Sequence, residues 1–210
     1  MKTAIVHEWL LSYAGSEKVL EQIVGLYPEA DLFSTLDFLP DGKRGFILDK
    51  RVNTSFIQKL PFAKSQYRNY LALMPSAVRS LDLSGYDLII SSSHSTAKGI
   101  RKRPDQLHIS YCHTPMRYIW DLESQYLKET GLDKGIKSAI LKAFFNRLRK
   151  WDVSTAKTVD YFIANSYYIK DRIKRVYDRD STVIYPPVEI DDFQLNTRKE
   201  EFYLTVSRMV

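Results

Sequence analysis

Short apolar runs rich in β-branched residues alternate along this chain with stretches of helical spacing, and that alternation constrains the fold more than any other feature. The runs are Thr3 to Val6, Leu88 to Ile90, Leu107 to Tyr111, Tyr161 to Ala164 and Thr182 to Tyr185, with a weaker one at Asp31 to Phe33. Most lead through a polar loop into a segment whose apolar residues recur every three or four positions. Parallel strands need a crossover long enough to hold a helix, and strands covered on both faces read as unbroken apolar runs. The pattern therefore predicts a doubly wound α/β domain with a mostly parallel sheet.

The intervening helices follow from spacing and caps. Ser16 to Leu26 carries Val19, Leu20, Ile23 and Leu26 at amphipathic spacing, with Ser16 as N-cap and Tyr27-Pro28 as the stop. Tyr67 to Leu83 reads as two helices broken at Pro75, whose ring removes a donor and disfavours the α region for Met74. Asp133 to Thr158 is the longest helical stretch, and Tyr167 to Val176 follows an Asn165-Ser166 cap. Residues 1–188 form one domain in this reading. The polar stretch 189–201 is linker chemistry, and Phe202 to Arg208 starts a new strand pattern, so 202–210 is expected to open a second domain that is truncated.

With 210 residues, 44% of them hydrophobic, the chain can bury one sizeable core. The sole cysteine, Cys112, excludes an internal disulfide and a multi-cysteine metal site, and a reducing compartment such as the cytosol fits best. The N-terminal apolar run is too short for a signal peptide and no run reaches the length of a membrane span, so the chain is expected to be soluble or peripheral.

The formal net charge of +6 is uneven, for residues 133–157 hold seven Lys or Arg against two Asp. That concentration points to an anionic partner. Ile136, Ile140, Leu141, Phe144, Leu148 and Trp151 lie near one face of this helix, with Lys137, Lys142, Arg147, Arg149 and Lys150 elsewhere. A core-packed helix with a solvated charged face explains the pattern. So does an interfacial helix that dips into an anionic bilayer while its cations meet headgroups. Nucleic acid is not the expected partner, because the cluster lies on one helix without an interleaved aromatic stacking platform.

In open parallel sheets ligands sit beyond the carboxyl ends of the strands, and three histidines fall there: His7, His94 and His113. Any one of them reads first as a polar loop residue that hydrogen-bonds backbone, but the three together weigh against that; a histidine-ligated metal is a further alternative, with His7-Glu8 the only close carboxylate pairing. Tyr13-Ala14-Gly15-Ser16-Glu17 lies between the first strand and the first helix, where free amides and the positive helix end suit a phosphate, or simply an ordinary cap. It has neither dinucleotide-fingerprint nor P-loop spacing. Cys112 and His113 are adjacent on a strand and point to opposite faces, so Cys112 reads as core.

Several segments together resemble the GT4 family of glycosyltransferases, in particular bacterial mannosyltransferase-like members that build surface polysaccharides and lipid-linked glycans. They are Ile5-Val6-His7-Glu8-Trp9-Leu10, Gly15-Ser16-Glu17-Lys18-Val19-Leu20, Gly85-Tyr86-Asp87-Leu88-Ile89-Ile90-Ser91-Ser92-Ser93-His94, Cys112-His113-Thr114-Pro115-Met116-Arg117-Tyr118-Ile119-Trp120-Asp121, Phe162-Ile163-Ala164-Asn165-Ser166 and Val183-Ile184-Tyr185-Pro186-Pro187-Val188. They run in family order over essentially the whole chain.

The resemblance implies the Rossmann-like N-terminal, acceptor-side domain of a GT-B enzyme, with the nucleotide-sugar donor held mostly by a C-terminal domain of the same chain. It assigns His113 to catalysis, facing the transferred sugar, and Gly15, Ser16 and Arg208 to the donor diphosphate. His7, Glu8, His94, Arg117 and Asp121 go to the acceptor side of the cleft. Ala14 departs from the commoner Gly-Gly-Ala-Glu loop of the family. The family's donor-site lysine and Glu-x7-Glu motif would lie past Val210, so the 210 residues alone are expected to be inactive. The implied reaction is retaining, by front-face attack and without a metal or other cofactor. GDP-mannose is the favoured donor and a lipid-linked or oligosaccharide acceptor the favoured partner, at the inner face of the cytoplasmic membrane.

Overall fold

The computed structural model describes residues 1–123, 125, 135–190, 194–195, 197–198 and 200–205, Lys137 by its backbone alone. Seven strands, all parallel, form one sheet in the order β3-β2-β1-β4-β5-β6-β7. They are β1 (Thr3–His7), β2 (Asp31–Ser34), β3 (Val52–Thr54), β4 (Leu88–Ser93), β5 (Leu107–Cys112), β6 (Tyr161–Ala164) and β7 (Ser181–Val183). The order reverses between β1 and β4. This is the switch point at which a doubly wound sheet opens a crevice beyond its strand ends.

Among the described residues the α-helices are α1 (Gly15–Leu26), α2 (Ala63–Gln66), α3 (Met74–Arg79), α4 (Arg117–Trp120), α5 (Gly135–Ala156) and α6 (Tyr167–Tyr177). Alternation along the buried strands supplies a core on each face. Ala4 and Val6 pack with Phe33, Ile89 and Val78 on one side, while Ile5 packs with Leu32 and the α1 residues Leu20 and Val24 on the other.

Several local features differ from those expected of the sequence. α1 is capped at Ala14 and not at Ser16; Glu17, in the third helical position, reaches back to accept the Ala14 N–H at 3.0 Å. Between Tyr67 and Leu83 the break falls ahead of Met74, and Pro75 sits inside the first turn of α3, where its missing N–H is no loss. The edge strand β3 was not foreseen, because Val52-Asn53-Thr54 holds a single aliphatic residue and shows no apolar run.

Phe145, and not Phe144, is the fully buried phenylalanine of α5, and Ile136 and Ile140 are exposed. Phe202 to Thr205 carry no strand and are exposed, and the rest of that expected strand lies outside the described residues, as do Asp133 and Lys134 at the start of the expected long helix. Ser166 caps α6 as expected, its hydroxyl accepting the Ile169 N–H at 3.3 Å.

A buried polar node ties the helices to the sheet. The Asp152 carboxylate accepts from Lys98 Nζ, from Trp120 Nε1 at 2.8 Å and from Tyr177 OH at 2.9 Å, so this buried charge is fully partnered. Gly99 lies flat against the Trp151 ring, where any Cβ would collide, so only glycine allows this approach. Together these contacts fix the loop after β4 that leads into the site.

Candidate active site

Parallel pairing brings His7, Ser92 and Tyr111 into line, for His7 is level with Ser92 and Ser92 with Tyr111. Residues level on parallel strands share a face, and His113 is two residues beyond Tyr111, so His7, Ser92 and His113 all lie on the α1 side at the switch point. Ser92 Oγ is 3.0 Å from His7 Nδ1 and 2.8 Å from His113 Nε2. His7 Nε2 lies 3.3 Å from the Glu17 carboxylate. His7 is fully buried, whereas His113 is half-buried and its Nδ1 makes no hydrogen bond to a described residue.

Electrostatics keep these groups in defined states. Burial, with His7 and His94 adding to it, pushes His113 down to about 3. Burial raises Glu17, but its hydrogen bond to His7 and the nearby His7 ring more than offset this and hold the carboxyl below the usual range. Burial likewise depresses His94 despite the opposing Glu8. The remaining histidine, His108, is fully buried in β5, pushed down to about 3 by burial, and bonded to Ser91 Oγ at 2.8 Å, away from the strand ends.

Glu8 does not face the cleft. It is fully buried on the opposite side of β1, and its two oxygens bind the loop after β4. Oε2 accepts the amides of Ser95 at 3.0 Å, Ala97 at 3.1 Å and His94 at 3.4 Å, and Oε1 accepts the amide and hydroxyl of Thr96 at 2.5 and 2.6 Å. Burial alone would raise this carboxyl; the His94 ring and the Thr96 and Ala97 hydrogen bonds hold it below the carboxylate range. Its role is to fix the loop that carries His94.

Asp121 is likewise engaged elsewhere, paired with the buried Arg172 of α6, which also reaches the Pro115 carbonyl at 3.4 Å. Asn165 Nδ2 donates to the His113 carbonyl at 3.0 Å. The segment that carries His113 is thus pinned from α6 and from the end of β6. Cys112 points to the other face, and burial pushes its thiol up to about 12, as suits a core residue.

Beside the histidines lies a cavity of about 330 Å³, lined by Trp9, Tyr67, Tyr118, His94, Arg68 and Arg117 among others. Trp9 meets His94 edge-on with centroids 4.6 Å apart, and Tyr118 OH bonds Ser95 Oγ at 2.7 Å. Arg117 is exposed, and its guanidinium has no hydrogen bond or ion pair to a described residue. Arg68 lies over the Tyr67 ring, 5.6 Å from its centroid. Aromatic walls with two arginines beside them suit a sugar ring that carries an anionic group.

At the N-terminus of α1, Gly15 is exposed and Ser16 half-buried, and a Cβ on Gly15 would meet nothing within 4 Å. Ala14 is extended, at φ −146° and ψ −159°, so alanine takes the place of the usual glycine without strain. The first-turn amides remain available to an anion. Arg208 lies outside the described residues, as does the Lys137 side chain.

On α5, Lys142, Arg147 and Lys150 are exposed. Arg149 is not a free surface cation: it pairs with Glu123, donates to the Ile119 carbonyl, and bonds Asn146 at 2.8 Å. Among the described residues no group of three His, Cys, Asp or Glu side chains is placed to hold a metal ion, and no helix is long and apolar enough to cross a membrane.

Sequence reasoning missed Ser92, Glu17 and Asn165 as parts of the site, although all three stand in the segments that carried the resemblance. Strand register would have found Ser92, because it is level with His7 once β1 and β4 are paired. It also missed Trp9, Tyr67, Arg68 and Tyr118, which come from separate elements with no common motif.

No curated protein matches this sequence. Among solved structures, Anabaena Alr3699/HepE in complex with UDP is similar at 16% identity and a TM-score of 0.51, over 91% of this chain and 45% of that one. The same protein with UDP and glucose gives 15% identity and a TM-score of 0.53, over 94% and 47%. The chain thus spans about half the length of these neighbours and has the fold of the N-terminal part of a GT-B glycosyltransferase. The family model for Glycosyltransferase Family 4 matches residues 31–192. This chain belongs to Glycosyltransferase Family 4.

Proposed function

We propose that this chain is the acceptor-side half of a retaining glycosyltransferase that moves a sugar, mannose by the resemblance, from a nucleoside diphosphate to a lipid-linked or oligosaccharide acceptor. The observation that carries this reading is the meeting of His113, the open α1 N-terminus and the aromatic, arginine-bearing cavity at one switch point. The donor diphosphate lies against the amides of Gly15 and Ser16, and Arg208 and the rest of a C-terminal domain complete its site. Residues 189–201 link the halves, and 202–210 begin the second one. The acceptor sugar stacks in the cavity on Trp9 and Tyr118, and Arg68 and Arg117 meet its anionic carrier.

His113 hydrogen-bonds the transferred sugar or the attacking hydroxyl. Leaving-group charge is met by amides and cations without a metal, so catalysis is mainly electrostatic positioning. Because most donor contacts fall on the other half, these 210 residues should bind nucleotide sugar far more weakly than the full-length protein. Calorimetry with GDP-mannose, and with a UDP-sugar because UDP is bound in the solved neighbour, measures both. Equal micromolar affinity in the two would put the donor site on the wrong half.

We further infer that α5 holds the protein on anionic bilayers at the inner face of the cytoplasmic membrane. The exposed Lys142, Arg147 and Lys150, with Ile136 and Ile140 exposed on the same helix, support this reading. Changing the three cations to Glu should abolish flotation with phosphatidylglycerol vesicles and leave the circular dichroism unchanged, since solvated charges add little to stability. Unchanged flotation would leave α5 as a helix with an ordinary solvated face.

A further inference from the structure

Glu17, His7, Ser92 and His113 form one unbroken hydrogen-bonded line of 3.3, 3.0 and 2.8 Å. The first three are buried, and only His113 reaches toward the cleft. Such a line has few allowed proton arrangements. An ionised Glu17 only accepts, so His7 Nε2 carries a proton. Ser92 has one hydroxyl proton to give. If His7 is neutral, its Nδ1 accepts from Ser92, the Ser92 oxygen accepts from His113 Nε2–H, and His113 Nδ1 is left bare. If His7 also carries a proton on Nδ1, the two bonds of Ser92 reverse, the bond to Glu17 keeps its direction, and His113 presents Nδ1–H.

We propose that these four residues are a proton-accepting relay, in which His113 Nδ1 takes the proton of the attacking hydroxyl and the resulting positive charge comes to rest on His7. This inference rests on the glycosyl-transfer reading of the cleft. The acceptor oxygen bonds to the anomeric carbon as its O–H bond breaks, and the bond from that carbon to the donor diphosphate breaks with its electron pair on the diphosphate. The hydroxyl proton passes to His113 Nδ1, the His113 Nε2 proton to Ser92 Oγ, and the Ser92 proton to His7 Nδ1. His113 and Ser92 end neutral, His7 ends as an imidazolium, and Glu17 stays ionised.

The line answers a physical difficulty in the site. Burial and the neighbouring histidines hold His113 at about 3, so a positive charge on that ring is costly, and His113 alone would be a poor base. On His7 the charge stands against the Glu17 carboxylate. Of the other titratable groups near His7, Glu8 lies across the sheet with its oxygens occupied, and His94 is held neutral by burial. Among the described residues neither His113 Nδ1 nor His108 Nδ1 has a partner, but His113 is half-buried beside the cleft whereas His108 Nδ1 is buried where no substrate can reach.

The test has two arms. In this chain, long-range proton–nitrogen NMR reports which ring nitrogen is protonated. His7 and His113 should both be Nε2–H tautomers. Ser92→Ala should release His113 into a mixture, and Ser92→Thr, which keeps the hydroxyl, should restore a single form. In the full-length enzyme, Ser92→Ala and Glu17→Gln should each lower kcat at least about tenfold with KM unchanged. Glu17→Gln keeps an acceptor for His7, so it should leave the His113 tautomer as in the wild type.

The isotope effect on kcat should curve with deuterium fraction in the wild type and straighten in Ser92→Ala. A His113 tautomer indifferent to Ser92→Ala, or full turnover in Glu17→Gln, would overturn the relay; the Gln variant decides the matter if the Ala variant does not fold. The NMR arm needs neither donor nor acceptor. Transfer without the tautomer linkage defeats the relay alone, whereas fixed tautomers in an enzyme that transfers no sugar defeat the glycosyl-transfer reading and the relay's purpose with it.

Discussion

Replacing His113 by alanine in the full-length enzyme should lower kcat by about two orders of magnitude, the usual loss when one positioned polar group is removed. Donor affinity and melting temperature should hardly change. The ring is only half-buried, and its place is secured by its neighbours: Asn165 holds its carbonyl, its own N–H donates to the Ser93 carbonyl at 2.9 Å, and Arg172 braces Pro115. Its removal therefore empties a spot at the cleft without taking down the loop. A contact that strengthens as charge moves to the leaving group costs more in the transition state than in the ground state. Near-normal turnover, or activity lost only through unfolding, would make His113 a structural loop residue.

The second large effect is on stability and belongs to Glu8. Changing it to Ala should cost about 3–5 kcal/mol, because the buried amides from His94 to Ala97 lose their acceptor together with a charge that they stabilise. In a chain of this size that is a drop of roughly ten degrees or more in Tm. The pH dependence follows in sign. The folded-state value lies below the ordinary 4.5, so the contribution is fully present above the unfolded value and is lost as pH falls through the folded one. Denaturant melts of wild type and Glu8→Ala should differ most near neutrality and converge as pH drops below 4.5. A constant difference across that range would mean that Glu8 acts by packing and not by charge.

Much of this architecture was legible in the sequence because buried parallel strands announce themselves. β1 holds Ala4-Ile5-Val6, β4 opens on Leu88-Ile89-Ile90 and β5 carries Leu107, Ile109 and Tyr111, and His7, His94 and His113 stand at or just past their ends. β3 was invisible for the opposite reason: an edge strand of three residues buries too little to leave a pattern. At the site, sequence order suggested which residues stand at strand ends but not where they point. Glu8 follows His7 directly, and the pleat sends it to the other face, where it anchors a loop and leaves the cleft to its neighbour. Asp121, given to the acceptor side of the cleft by the resemblance, and Arg149, read as a cation for the membrane, each find an opposite charge from a distant element, Arg172 and Glu123. Ser92 gained its place only from register, an interaction across 85 residues that no local spacing encodes.

The central claim is that this switch point serves sugar transfer from a nucleotide sugar, and the most direct measurement is transfer itself. The full-length protein, incubated with GDP-mannose or a UDP-sugar and a lipid-diphosphate-linked glycan, should release nucleoside diphosphate only when acceptor is present. Proton NMR of the product should show the same anomeric configuration as the donor, and His113→Ala should suppress both signals. Release that ignores the acceptor, an inverted anomeric centre, or transfer undiminished in His113→Ala would contradict the account.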